Sequence, residues 1–91
     1  MTKWLQSGRR RDICILLAER DDCRGQELKS ALESHYDERI EPRSFYDSLS
    51  ALVDSGLVET RTDGLHDVYY LSEGGARRLD EHYEWMREHL E

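Results

Sequence analysis

A short amphipathic segment that stops at a glycine and runs directly into strand-like sequence places the tightest constraint on how this chain folds. The segment is EPRSFYDSLSALVDSGLVE, residues 41–59. Pro42 suits the first turn of a helix, and Gly56 suits its end. At 100° per residue, the apolar face consists of Phe45, Leu49, Leu52, Val53 and Gly56. The opposite face consists of Arg43, Asp47, Ser50 and Asp54, with Ser44 and Ala51 at its edge. We therefore predict a helix that is buried on one side and exposes a polar face on the other.

Two helices are predicted before this segment. The first, from about Gly8 to Arg20, contains ICILLA, which is apolar all the way round, so two of its sides need to be covered. The second, from about Gly25 to Tyr36, is half buried and carries Lys29 among its polar residues. Ile40, between the second and third helices, is predicted to be either a lone strand or a core anchor.

A β-hairpin is predicted after the third helix. LVETRT and DVYYLS are the two strands, and DGLH is the turn between them. Asp63 and Gly64 supply the positive-φ chemistry that a tight hairpin needs. A hairpin of this size is not stable alone, so we expect it to lie on the helices.

The last helix carries an apolar seam longer than the small body of the domain can cover. It begins near Ser72, which can cap it. Apolar residues then recur at spacings of three, four, three and four, as in a coiled coil. We predict a twofold homodimer through this helix; the alternative is that the seam packs on the domain's own first helix. The predicted dimer contacts are Trp4, Leu5, Ile15, Ala76, Leu79, Tyr83, Trp85, Met86 and Leu90.

The charge of the chain is unusual for a protein that touches nucleic acid. The net charge is −7, whereas phosphates attract Lys and Arg. Of the 13 basic residues, however, only Lys3 and Lys29 are lysine. Abundant acids with scarce lysine resemble proteins that work in near-saturating salt, as in haloarchaea, where the Debye length shrinks to about 3 Å. In such salt, an acidic total is only weak evidence against DNA binding.

Neither a membrane protein nor an enzyme is indicated. The sequence has no apolar run of membrane-spanning length and no signal-peptide cleavage site, so we expect a cytoplasmic protein with no membrane partner. Cys14 is interpreted as a core residue and Cys23 as a free thiol near a loop. The two cysteines have neither the CxxC spacing nor the matching histidine pair of a zinc site. His82 and His89 lie two turns apart on the last helix and are interpreted as solvated or interface residues. We expect no catalytic residues, no metal and no cofactor.

The order of these elements predicts the fold class. Three helices, a proline-started third one, a hairpin and a last helix form the winged helix-turn-helix order, in which the third helix enters the DNA major groove. The predicted class is mainly α with a small β-hairpin. Residues 1–71 form the winged helix-turn-helix region and residues 72–91 the dimerisation helix of a single domain.

Three stretches resemble a known family. They are RGQELKSALESHYDERI, EPRSFYDSLSALVDSGLVE and VYYLSEGGARRL, and their order and spacing are similar to PadR-type transcriptional regulators, in particular short haloarchaeal members, cellular or viral. The resemblance implies a dimeric repressor whose last helix makes the dimer and whose third helix reads DNA. Two departures stand out. The wing tip, TDGLHD, lacks the Lys or Arg of many relatives, and Arg43 replaces a small residue.

The candidate DNA contacts surround the third helix. They are Arg43, Ser44, Tyr46, Asp47, Ser48, Ser50, Gln26, Arg24, Arg61, His66, Arg9, Arg10 and Arg11. Arg43 is suited to guanine or phosphate, with Glu41 or Asp47 as alternative partners. Asp47 is suited to cytosine N4.

Several of these residues also have structural interpretations. Ser44 is an alternative helix cap, Tyr46 is partly a packing residue and His66 is a solvated loop histidine. Arg9, Arg10 and Arg11 are either phosphate contacts or a basic turn paired with neighbouring acids such as Asp12.

The leading functional hypothesis is a sequence-specific homodimeric repressor that occludes a promoter at a pseudo-palindromic operator on double-stranded DNA. The alternative is a winged-helix module for protein–protein interaction, with the acidic face meeting a basic partner. The sequence identifies no small-molecule effector.

Overall fold

The computed structural model describes residues 8–90. Within them the chain forms α1 (Gly8–Glu19), β1 (Cys23–Arg24), α2 (Gly25–Tyr36), α3 (Pro42–Asp54), β2 (Val58–Asp63), β3 (His66–Leu71) and α4 (Glu73–Leu90). The predicted winged helix-turn-helix order is confirmed, with element ends within one or two residues of those expected. None of these helices is both long enough and apolar enough to cross a membrane.

The turn between α2 and α3 is made by hydrogen bonds that end α2 sharply. Asp37 takes the left-handed conformation at φ 53°. Its N–H donates to the Ser34 carbonyl over 3.3 Å, and the Glu38 N–H donates to the Glu33 carbonyl over 3.1 Å. In this two-bond pattern, the residue in the left-handed conformation is usually glycine, and aspartate is among the few other residues that tolerate that conformation. Ile40 then enters the core without forming a strand, so the core-anchor interpretation is confirmed.

The apolar face of α3 is the centre of the core. Phe45, Leu49 and Leu52 are each no more than 1% exposed, and the buried cluster includes residues of both α1 and α2. Burying such side chains stabilises the fold by roughly 1.5–3 kcal/mol each. Because α3 is fixed through one face, its polar face is exposed, as the sequence predicted.

The sheet has one strand more than the predicted hairpin. The strand order is β1-β3-β2 and every pairing is antiparallel. Gly64, at φ 68°, takes the first position of the two-residue turn, as the sequence predicted. Cys23 is a free thiol that directly follows the loop at residues 20–22, and the extra strand places it in β1 with 4% exposure. Two residues of backbone pairing leave no periodic signal in a sequence, which is why this strand was missed.

Two polar side chains are more buried than predicted. Lys29 was assigned to the polar side of α2 but is 8% exposed; its ammonium lies 3.0 Å from the Glu33 carboxylate, and this pairing permits the burial. His82 is also 8% exposed, so of the two interpretations, solvated or interface residue, the solvated one is wrong for His82 and the interface one stays a prediction. Its ring stacks on Trp85 with centroids 5.8 Å apart.

The start of α4 is held against the end of α3. The Gly56 and Leu57 N–H groups donate to the Val53 and Leu52 carbonyls, and Gly56 has φ 80°, so the predicted glycine stop is confirmed. Ser72 caps α4, because its Oγ accepts from the Gly75 N–H over 2.9 Å. The same Oγ donates to the Gly56 carbonyl over 2.6 Å.

Gly75 permits this junction. A Cβ at this position would lie 2.0 Å from the Leu57 carbonyl oxygen. We expect Gly75→Ala to lower the free energy of unfolding by about 2 kcal/mol, as overpacking does, measured by chemical denaturation. Gly74→Ala is the matched control, because its Cβ would meet nothing closer than the Ser72 Oγ at 3.8 Å. The control should be neutral or stabilising by up to about 1 kcal/mol. Equal stability of the two variants would contradict the close contact.

Candidate nucleic-acid interface

The outer face of α3 presents one cation and several polar groups to solvent. Arg43, Tyr46, Asp47, Ser50 and Asp54 are exposed. Within residues 8–90, the Arg43 guanidinium forms neither an ion pair nor a hydrogen bond, so the alternative pairing with Glu41 or Asp47 is not observed. The guanidinium keeps all its donors available at the N-terminal end of the exposed face.

Ser44 connects α3 to α1. Its Oγ accepts a hydrogen bond from Arg9 Nη1 over 2.5 Å, and its carbonyl accepts from Ser48 Oγ over 3.3 Å. Glu41, not Ser44, occupies the N-cap position of α3. The capping interpretation of Ser44 is therefore wrong, and its hydroxyl holds the arginine-rich start of α1 beside α3.

A depression of about 350 Å³ lies between these two helices. It is lined by Arg10, Glu41, Arg43, Ser44, Asp47 and Ser48. Arg11 instead lies 3.5 Å from the Asp12 carboxylate. The three consecutive arginines therefore differ in their surroundings. Arg9 and Arg10 lie against α3, whereas Arg11 pairs with Asp12, as in the alternative given by the sequence.

A side-chain hydrogen bond joins the start of α1 to the end of α2. Tyr36 donates to Asp12 Oδ2 over 2.5 Å. Burial, followed by this hydrogen bond, raises the pKa of Tyr36 to about 12. The phenol therefore stays protonated and remains a donor at any physiological pH.

A second groove, of about 470 Å³, lies on the other side of α3. It is lined by Arg24, Gly25, Gln26, Glu27, Tyr46, Leu65, His66, Asp67 and Tyr69. Tyr46 is 37% exposed, and a Cβ on Gly25 would lie 2.7 Å from its hydroxyl oxygen. Tyr46 is thus both a packing residue and a groove residue, and Gly25 is the small residue that lets its ring lie on the start of α2.

The two-stranded wing, β2 and β3, is acidic and polar at its tip. Leu65 is 98% exposed there, between Asp63 and Asp67. Arg61, the predicted backbone contact on β2, forms an ion pair with Asp22. Sequence reasoning missed Asp22, because no local pattern links two residues 39 positions apart.

The predicted dimer contacts lie along α1 and α4. Ile15, Tyr83, Met86 and Leu90 are 46%, 61%, 39% and 76% exposed, and Trp85 is 46% exposed. Leu79 is partly buried against the protomer's own core, and Ala76 is exposed. A groove of about 350 Å³ between the two helices is lined by Ile15, Ala18, Leu79, Asp80, His82, Tyr83 and Met86. The other two predicted contacts, Trp4 and Leu5, lie outside the described residues.

The cysteines have the character of packed side chains. Burial raises the pKa of Cys14 to about 12. Burial, followed by the nearby Glu27 carboxylate, also raises the pKa of Cys23. Both thiols therefore stay protonated at neutral pH, and protonated thiols are poor nucleophiles. Among residues 8–90, no group of three or more His, Cys, Asp or Glu side chains is arranged to hold a metal ion.

Solved structures share this arrangement. No family model and no curated protein matches the sequence. A homodimeric winged helix-turn-helix DNA-binding domain from Mycobacterium bovis, described as a possible ArsR-family transcriptional regulator, is 30% identical with a TM-score of 0.81. The match covers 98% of this chain and 77% of that one. The chain belongs to the winged helix-turn-helix family. RosR from H. salinarum is 28% identical with a TM-score of 0.82, over 88% of this chain and 73% of that one.

A more distant solved structure supports only the similarity of the fold. A mutant MarR from E. coli complexed with operator DNA is 17% identical with a TM-score of 0.77, over 88% of this chain and 55% of that one. None of these three proteins is described as an enzyme. In the winged helix-turn-helix frame, α2 and α3 are the helix-turn-helix and β2–β3 is the wing.

Glu33 joins α2 to a residue of the turn that precedes α3. Its carboxylate accepts from the Ile40 N–H over 2.8 Å and from Lys29 Nζ over 3.0 Å. The Ile40 hydrogen bond, followed by the Lys29 hydrogen bond, lowers the pKa of Glu33 from 4.5. Because the folded-state pKa is depressed, this contribution to stability is present above pH 4.5 and is lost as pH falls through the lowered value.

We expect Glu33→Gln to destabilise the domain at neutral pH, with the difference from the wild type shrinking well below pH 4.5. Chemical denaturation at both pH values measures this. Glu38→Gln, in the same turn, removes the same charge from an exposed residue and should have little effect at either pH. A destabilisation by Glu33→Gln that is independent of pH would contradict the assigned role of the carboxylate.

Proposed function

We propose that this chain is a sequence-specific DNA-binding transcriptional regulator that acts as a homodimer. The observation that carries the proposal is the exposed guanidinium of Arg43 at the start of the outer face of α3. An arginine here is suited to guanine O6 and N7 in the major groove. The 30% identity to a winged helix-turn-helix DNA-binding domain supports the same role.

The surroundings of α3 support insertion into a groove. Arg9 and Arg10 lie on one side of the helix, and Arg24, Gln26 and Tyr46 lie on the other. A helix in the major groove has a phosphate backbone on each side, so the arginines on the two sides of α3 are suited to phosphate contacts. Ser44, Ser48 and Ser50 add hydroxyls, although Ser44 already accepts from Arg9. Asp47 is assigned to cytosine N4, which can donate a hydrogen bond to a carboxylate. Because the same carboxylate repels phosphate, it favours binding only where the DNA sequence places a cytosine opposite it.

Homodimerisation is proposed through α1 and α4. Apolar residues that are exposed in the single chain follow the coiled-coil spacing of α4 and continue onto Ile15 of α1. The M. bovis domain is homodimeric, which supports a homodimer here but does not identify the helices that form it. Two copies would set two α3 helices in successive major grooves about 34 Å apart, which requires a pseudo-palindromic operator. Occlusion of a promoter, and therefore repression, is the simplest consequence.

Membership of the PadR type, in a halophilic cell or its virus, is part of the same proposal. It is supported by the resemblance of the helix-turn-helix and wing sequences, by the acidic, lysine-poor composition and by the similarity to RosR of H. salinarum. Concentrated salt would screen the net charge of −7 and leave direct contacts to determine affinity.

A protein–protein interaction module is the second candidate function. It is favoured by the acids on the exposed face of α3, Asp47 and Asp54, and by the pairing of Arg61 with Asp22. In this alternative, the exposed face would meet a basic partner and no duplex would bind.

The first experiment compares binding to the DNA upstream of the gene with binding to a scrambled duplex, titrated at molar potassium chloride. We expect Arg43→Ala to weaken specific binding about 10- to 100-fold, because a bidentate arginine–guanine contact contributes about 1–3 kcal/mol.

Arg87→Ala is the matched control for this loss. It removes the same charge from an exposed arginine on α4 that is paired with Glu84. Binding by this variant should be nearly unchanged. Failure of the wild type to bind any duplex across the salt range would refute the DNA-binding proposal and favour a protein partner.

The dimer interface gives a separate expectation. Met86→Glu should convert the protein to a monomer in light scattering after size-exclusion chromatography, because it would bury a carboxylate in the apolar seam. Met86→Leu keeps an apolar side chain of similar volume and should remain dimeric. A dimer that survives Met86→Glu would place the interface elsewhere.

A further inference from the structure

Arg61, on β2 of the wing, forms an exposed ion pair with Asp22. Arg61 on β2 and Arg24 on β1 are both register partners of Val68 on β3. Directly paired residues of an antiparallel sheet point to the same face, so the two arginines flank Val68 on one face, about 10 Å apart across two strand spacings. Arg24 also lines the groove between α2, α3 and the wing.

The two arginines differ in what they contact. Arg61 Nη2 donates to Asp22 Oδ2 at close range. The Arg24 guanidinium forms no ion pair within the described part of the chain. Of the two cations on this face of the sheet, one is therefore neutralised by an internal carboxylate.

Asp22 and a phosphodiester would compete for the same donors. Carboxylate and phosphate both accept from the fork of a guanidinium, often through two parallel hydrogen bonds. The side chains of Arg61 and Asp22 are 51% and 42% exposed, so solvent and a phosphate can both reach the pair. An exposed pair of this kind contributes little to stability, so exchanging its anion costs the fold little.

We propose that Arg61 is a phosphate-binding residue at the base of the wing and that Asp22 masks it. The inference rests on the proposed function. While Asp22 is bound, the wing contributes little to the sequence-independent attraction of DNA, and binding depends more on the contacts of α3. Masking of this kind raises the ratio of specific to non-specific binding.

Asp22→Asn is the test variant, since it removes the charge and keeps the shape. We expect tighter binding to a random-sequence duplex, on the order of 5-fold at moderate salt. The dependence of log K on log salt should steepen by about 0.9 if one phosphate contact is gained. Asp21→Asn is the matched control: it makes the same charge change at the neighbouring exposed residue, which forms no ion pair within residues 8–90.

A double variant separates masking from a general change in charge. The Asp22→Asn, Arg61→Gln double variant should bind random-sequence DNA no more tightly than Arg61→Gln alone. Thermal unfolding of each variant checks that the fold is kept. A gain that Asp21→Asn reproduces, or one that persists without Arg61, overturns the inference.

The failure of the inference and the failure of the proposed function give different results. Wild-type binding with no gain from Asp22→Asn overturns the masking role alone. No binding by the wild type or by Asp22→Asn to any duplex overturns both.

Discussion

The start of α4 is held against the end of α3 by a backbone contact that only glycine permits, and the geometry of the molecule follows from it. Gly75 lies where any Cβ would meet the Leu57 carbonyl, and the Ser72 hydroxyl bridges from the cap of α4 to the Gly56 carbonyl. The first is a close approach of two backbone segments and the second is a pair of hydrogen bonds between one side-chain hydroxyl and the backbone, so the start of α4 is fixed next to the end of α3. If α4 forms the dimer, this junction sets the distance between the two α3 helices. A small change at that interface would then be transmitted to the two α3 helices through this connection.

The turn between α2 and α3 is the second rigid connection. Glu33 joins the buried ammonium of Lys29 to the backbone of Ile40, and Asp37 supplies the left-handed residue that the turn requires. Tyr46 then lies directly on Gly25 at the start of α2. The N-terminal half of α3 is therefore supported from behind by α2 and the turn between the two helices. A helix held in this way can present a few side chains in fixed positions, which sequence-specific contacts require.

Net charge is a poor guide to what this surface can bind, because the arginines differ in their contacts. Arg43 has no partner among residues 8–90, Arg9 is held by a serine hydroxyl, and Arg61 is cancelled by Asp22. The net charge of −7 counts these arginines alike and does not show which of them keep their donors available. What matters for a groove is which cations keep their donors available at its walls, and that depends on the folded arrangement.

Residues that act through local chemistry could be predicted from the sequence. The period of α3 determined its buried and exposed faces, Gly56 and Gly64 marked the positive-φ positions, and Ser72 marked the cap of α4. These features depend on neighbours within a few residues, so their signal is contained in a short window. The tertiary structure alone decided the strand β1 and the burial of Lys29 and His82. It also decided the packing of Tyr46 on Gly25 and the pairing of Asp22 with Arg61. Each of these joins residues distant in the chain or depends on the packing of separate elements. No spacing rule encodes such contacts, because they form only when the chain is folded.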